Sequence, residues 1–95
     1  MPNQPKINVP PPEGPISMNV GQQLTIHAAR ACNFCCNIGD HFNPDITSLS
    51  LSHGDNGPYT AMSTASGTYN SSDPGTTCNP SSIAMTNCKS IQINP

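Results

Sequence analysis

Residues 22–38 read QQLTIHAARACNFCCNI, and their apolar side chains recur at every second position. Leu24, Ile26, Ala28, Cys32, Phe34 and Cys36 share one parity, which only Arg30 breaks. The other parity holds Gln23, Thr25, His27, Ala29, Ala31, Asn33, Cys35 and Asn37. Successive side chains of a strand point to opposite faces. The run therefore predicts a strand with one face on a core and the other near water. Leu24, Ile26, Cys32 and Phe34 are the expected buried set. A helix over 25–36 is the rival, favoured by Ala28, Ala29 and Ala31. It lacks a capping residue at its start, so strand is preferred.

Shorter signals surround this run. Ile16, Met18 and Val20 alternate with Ser17 and Asn19 as a first short strand, and Gly21 permits a turn after it. Leu49, Leu51 and His53 alternate with serines over 46–53. HGDNGP at 53–58 reads as a hairpin turn, and 59–63 as its return strand. Residues 64–82 are rich in Thr, Ser, Gly and Pro and read as a long loop, with one short strand near 68–70. Ile83 and Met85 alternate, 86–88 turns, and Ile91 with Ile93 forms the last strand. Short strands separated by turns predict an all-β fold, a small sandwich or barrel. The run ISMNVGQQLTI resembles the opening of immunoglobulin-like modules, where a short strand leads through glycine into the next. That resemblance implies an immunoglobulin-like sandwich over 16–95.

Residues 1–15 carry six prolines and read as an extended arm. Ile7 and Val9 flank Asn8, so both face one way in an extended chain. With so few apolar groups the arm is expected to order by lying on a neighbouring chain. Lys6, Ile7, Val9, Pro10, Pro11 and Pro12 would be its contact residues, with Ile7 and Val9 exposed in the isolated chain.

The core is expected to be thin. Of 95 residues 34% are hydrophobic, and the aromatics are Phe34, Phe42, Tyr59 and Tyr69. Domains this small bury a low fraction of their surface and often need staples or partners. Lys6, Arg30 and Lys89 face Glu13, Asp40, Asp45, Asp55 and Asp73, for a net charge of -2. Three scattered cations build no basic patch for nucleic acid or for an anionic membrane surface. The first fifteen residues carry no apolar stretch of signal-peptide type, and no run reaches membrane-spanning length. The chain is expected either to start at Met1 and be made in a cytoplasm, or to be a domain cut from a larger secreted protein.

Cys32, Cys35 and Cys36 lie together, with Cys78 and Cys88 far downstream. Three readings stay open. Disulfides could join the first group to the second, leaving one of five thiols over. Cys32, Cys35, Cys78 and Cys88 could hold a structural zinc, with His41 as a substitute ligand, although the second pair is too widely spaced for a usual knuckle. All five could instead be plain core thiols. A redox CxxC enzyme would want a βαβ context that is missing here. Asp40 with His41, and His53 with Asp55, place acid near base, yet both pairs sit in turn sequence. A nucleophilic cysteine oriented by a histidine matches no known signature. A copper site of a cysteine with His27 and Met85 has unsuitable spacing. Asn70-Ser71-Ser72 fits the glycosylation sequon.

These features predict no enzyme and no cofactor. The expected function is structural, within a larger assembly: a decoration or cement protein on a bacteriophage capsid, bound to the major subunit, with its own copies as a further partner. An immunoglobulin-like module of a secreted or cell-surface protein is the first alternative. A small disulfide- or zinc-stabilised binding domain for a sugar or peptide is the second. The corresponding locations are the virion, or the cell exterior.

Overall fold

The computed structural model describes residues 4–81 and 88–95. Among these residues the chain is all strand and turn, in two packed sheets. The strands are β1 (Lys6–Val9), β2 (Ile16–Asn19), β3 (Gln23–Ala28), β4 (Cys32–Cys36), β5 (Phe42–Asn43), β6 (Ser48–Leu51), β7 (Gly54–Ala61), β8 (Ala65–Ser72) and β9 (Lys89–Asn94). A single 3₁₀ turn, Gly39–His41, links β4 to β5. One sheet has the order β1-β3-β7-β5 and the other β2-β9-β8-β4-β6. β1 runs parallel to β3 and β2 parallel to β9, while the remaining pairs are antiparallel.

The alternating run at 22–38 is two strands rather than one. β3 ends at Ala28, the chain bends through 29–31, and β4 begins in the opposite sheet. Parity survives the crossing because it records which side chains face the interlayer core, and both strands face it. Leu24, Ile26, Cys32 and Phe34 are all buried as expected, while Gln23 is exposed and Thr25 and Asn33 are intermediate. Arg30 breaks the apolar row because it lies on the exposed link between layers.

The arm expectation is corrected at its central point. Residues 6–9 are a strand of the fold, in register Ile7↔Ile26 and Val9↔Ala28. Ile7 and Val9 are each 2% exposed within their own chain. The missing stabilisation comes from the edge of β3, which offers both a ladder and a core. Beyond the ladder, the amide of Thr25 donates to the Pro5 carbonyl at 3.1 Å and that of Ala29 to the Val9 carbonyl at 2.8 Å. Pro12 is buried too, whereas Lys6 and Pro11 stay exposed.

Two loop expectations are also overturned. HGDNGP is mostly strand: β7 already begins at Gly54, and the turn is confined to Ser52 and His53. The register slips between Leu24↔Tyr59 and Ile26↔Asn56, so β7 carries an extra residue opposite β3. Gly57, at φ 120°, and Pro58 form this bulge. The Asn56 amide nitrogen donates to the carbonyls of Ile26, Ser52 and Gly54 at 3.0–3.3 Å, replacing ladder bonds lost there. The second correction is β8. The stretch read as a loop with one short strand near 68–70 has that strand, but it runs over eight residues, between β4 and β9. Neighbours on both edges make weak strand propensity sufficient. Gly67 within it is required by close approach, since a Cβ there would overlap Asn37 Oδ1 and Ile38. The last strand is present as expected, with Ile91 and Ile93 inward. The alternation of Ile83 with Met85 and most of the turn at 86–88 lie outside the described residues.

Tyr69 and Phe34, both 0% exposed, stack between β8 and β4 with ring centroids 5.7 Å apart. The Tyr69 hydroxyl donates to the Gly14 carbonyl at 2.6 Å, tying the corner after β1 to the core. Burial, and secondarily the nearby Glu13 charge, pushes this phenol up to about 12. Its folded value lies above the ordinary one near 10. The resulting stability is present below about pH 10 and is lost as pH rises towards the folded value. Tyr69→Phe is expected to cost about 1 kcal/mol by losing one hydrogen bond. It should also flatten the alkaline fall in stability, read by denaturant titration between pH 9 and 11.

Candidate functional site

The five-stranded sheet has a covered outer face, and chemistry-bearing residues gather there. Cys32, Phe34 and Cys36 point from β4 into the core, so Asn33 and Cys35 point away from it. On β8 the outward row is Thr68, Asn70 and Ser72. After β8 the chain turns back, and residues 73–81 cross this face. Cys35 is joined to Cys78, with Cα atoms 6.0 Å apart. The Asn33 amide donates to the carbonyls of Asp73 and Thr76 at 3.1 and 3.0 Å. The Asn70 amide donates to the Asn79 carbonyl at 3.0 Å. Thr68 Oγ1 donates to the Pro80 carbonyl. This covering explains why a strand so rich in Ser, Thr and Asn is stable: its polar row meets backbone carbonyls instead of water.

The cross-link expected between the two cysteine groups is thus Cys35–Cys78. Cys32 and Cys36 are buried thiols on the opposite side of β4. Burial pushes the Cys36 thiol up to about 11, and burial also raises Cys32. A thiol with so little thiolate at neutral pH is a poor nucleophile. Iodoacetamide at pH 8 is expected to leave Cys32 and Cys36 unmodified in the native protein and to label both in guanidinium, as counted by mass spectrometry. Cys88 is half-buried, and its thiol donates to the Asn79 carbonyl at 3.6 Å.

The zinc set of Cys32, Cys35, Cys78 and Cys88 is not assembled. Two of its sulfurs are bonded to each other, and Cys32 faces the other side of its strand. Among the described residues no three His, Cys, Asp or Glu side chains converge as metal ligands, His41 included. His27 lies on β3, and Met85, its partner in the copper reading, is outside the described residues.

The acid–base pairs separate or stay open to water. His53 and Asp55 do not meet. Asp55 instead bonds His27 Nδ1 at 2.7 Å and lies 3.4 Å from Lys6 Nζ, on the outer face of the four-stranded sheet. The His27 hydrogen bond, ahead of the contribution from Lys6, holds the Asp55 carboxyl below the usual carboxylate range. Asp40 stands 3.9 Å from His41 Nε2, and His41 Nδ1 is 2.7 Å from Ser63 Oγ. This Ser–His–Asp grouping lies on exposed turns, with Asp40 75% exposed, so nothing there excludes water from a reacting group. The sequon fails on burial. Asn70 is 1% exposed, and its side chain is committed to Asn79 and to the Ser71 amide.

A cleft opens where residues 70–77 pass the corner at Pro10 and Pro11, with a cavity of about 300 Å³. Arg30 stands at its mouth and donates from Nη2 to Asp73 Oδ1 at 2.7 Å. The sequence reading treated Arg30 only as an interruption. Its signal was its rarity, as the single arginine in a chain with three cations. Ser71 was noticed only as part of a sequon, and Asp73, Thr76 and Thr77 were hidden inside a stretch read as loop. Comparison with protein-family models, with curated proteins and with solved structures finds no match for this chain.

Proposed function

We infer that this protein is a non-enzymatic, immunoglobulin-like sandwich module of a secreted or cell-surface protein. The Cys35–Cys78 cross-link carries the reading. It clamps a polar segment over a sheet that has little apolar surface to hold it, and such bonds persist in oxidising compartments. The strand order supports the immunoglobulin-like part. β3 and β7 share one sheet while β4, β8 and β9 share the other, as do the B, E and C, F, G strands of that fold. Two features depart from it: β1 runs parallel to β3, and the disulfide does not join the two sheets. Ile7 and Val9 are buried in their own chain, which removes the main support for an arm docked on a capsid and favours the secreted module. Trapping thiols with a maleimide in the intact source cell tests it. Protection of Cys35 and Cys78 before lysis is expected, and full labelling of both would end this reading.

One observation keeps the capsid-decoration reading as a second proposal. β6 is an edge strand of sequence SLSL with no charge and no proline, and Ser48 and Ser50 are exposed. An unguarded edge accepts a strand from another subunit. Lys6 and Pro11 are exposed and Pro10 is half-buried, but they belong to the edge of the other sheet and would make a separate contact. Recovery of the protein in purified particles at a fixed ratio to the major subunit supports this reading, and its absence from them excludes it.

A further inference from the structure

The cleft between the Pro10–Pro11 corner and residues 70–77 carries a donor set that the fold itself does not use. Ser71 lines it, is 8% exposed, and its hydroxyl makes no hydrogen bond to any described residue. That oxygen is not sealed in, because no fully buried side-chain polar atom among the described residues lacks a partner. Burying a hydroxyl this far without a partner is unfavourable unless something else can satisfy it. Thr76, which also lines the cleft, spends its amide and carbonyl on Asp73, Asn33 and Ser72, and its hydroxyl bonds no described residue. Arg30 brings a permanent cation with five donors, of which Asp73 occupies one. The two prolines supply an apolar wall. The volume of about 300 Å³ suits a ligand of amino-acid size, at the low end of small-molecule sites.

We propose that this cleft binds a carboxylate, held by Arg30 and Ser71, with an apolar substituent against Pro10 and Pro11. The planar fork of a guanidinium matches a carboxylate in two hydrogen bonds. A doubly charged phosphate fits less well, because Asp73 lies 2.7 Å from the guanidinium and repels a second negative charge. The carboxylate could belong to a free small acid or to the C-terminus of a peptide. Both present the same group to Arg30. The binding chemistry is the same whether the module sits on a cell or on a particle.

Titration of the oxidised, full-length protein, followed by amide and arginine side-chain NMR, tests this. The probes are N-acetylvaline, the peptide Gly-Gly-Val with a free C-terminus, the same peptide amidated, and inorganic phosphate. Saturable shifts at Arg30, Ser71 and Thr76 with the first two probes are expected. Tighter binding of the free peptide assigns the site to chain termini, and tighter binding of the acid assigns it to small acids. Arg30→Gln is expected to weaken binding about tenfold or more. Ser71→Ala should weaken it severalfold, and Asp73→Asn should strengthen it by removing the competing carboxylate. All three changes leave the apolar core untouched. Equal binding of the amidated peptide, stronger binding of phosphate, or no saturable shift with any probe overturns the proposal.

Discussion

Replacing Cys35 and Cys78 together by serine is expected to cost about 4 kcal/mol, the chain-entropy value for the 43-residue separation they close. For a domain of this size that is a fall in Tm of roughly 15–30 °C. The effect is a large share of total stability, because small domains fold with only about 5–15 kcal/mol in hand. Denaturant unfolding of the oxidised protein and of the double variant measures it. A difference below about 1 kcal/mol would mean that the hydrogen bonds from Asn33, Thr68 and Asn70 already hold the covering segment unaided.

Deleting residues 1–12 is expected to unfold the protein. Ile7 and Val9 alone remove roughly 3–6 kcal/mol of apolar burial. The deletion also strips β3 of a ladder partner and uncovers the core at Ile26 and Ala28. Ile7→Ala, which leaves the backbone ladder intact, should cost about 2–5 kcal/mol. Loss of dispersed amide signals in the truncated protein is the readout. A truncated chain that keeps its spectrum would restore the arm to a docking role.

What the sequence disclosed follows from what periodicity can encode. Alternation at 22–38 identified the core-facing residues correctly, because inward and outward are local properties of a strand; Cys35, on the outward parity, is buried by the segment that covers it. It could not report that β3 and β4 belong to different sheets. That depends on the bend at 29–31, where Ala29 and Ala31 carry no turn signal. Of β8 only the middle, near 68–70, was legible, for the opposite reason. Its outward residues, Thr68, Asn70 and Ser72, are satisfied by a segment beyond the strand's end, so no alternation of apolar and polar residues is needed. Gly57 and Pro58 were read as turn formers, and they do bend the chain, but as a bulge within β7. The strand at 6–9 was legible as an extended piece with Ile7 and Val9 on one side. Its prolines drew attention away from the simpler outcome, that this side faces its own core. Of the cleft, Pro10, Pro11, Arg30 and Asn70 to Ser72 each drew notice in the sequence, but for other reasons, and nothing there showed that they meet.

The cross-link also fixes how the oxidised protein responds to a pull. Force applied through β2 and β9 passes from Cys35 to Cys78 through the sulfur bond and bypasses everything between them. That separation of 43 positions, fully drawn out, would reach roughly 150 Å, and that length is withheld from extension. β2 and β9 run parallel, side by side, in register Ile16↔Ile91 to Asn19↔Asn94. Pulling on the start of one and the end of the other loads their hydrogen bonds in shear, so the bonds resist together instead of opening one at a time. A molecule tethered through β2 and β9 is therefore short and stiff while oxidised. Reduction adds the withheld length to what tension can draw out.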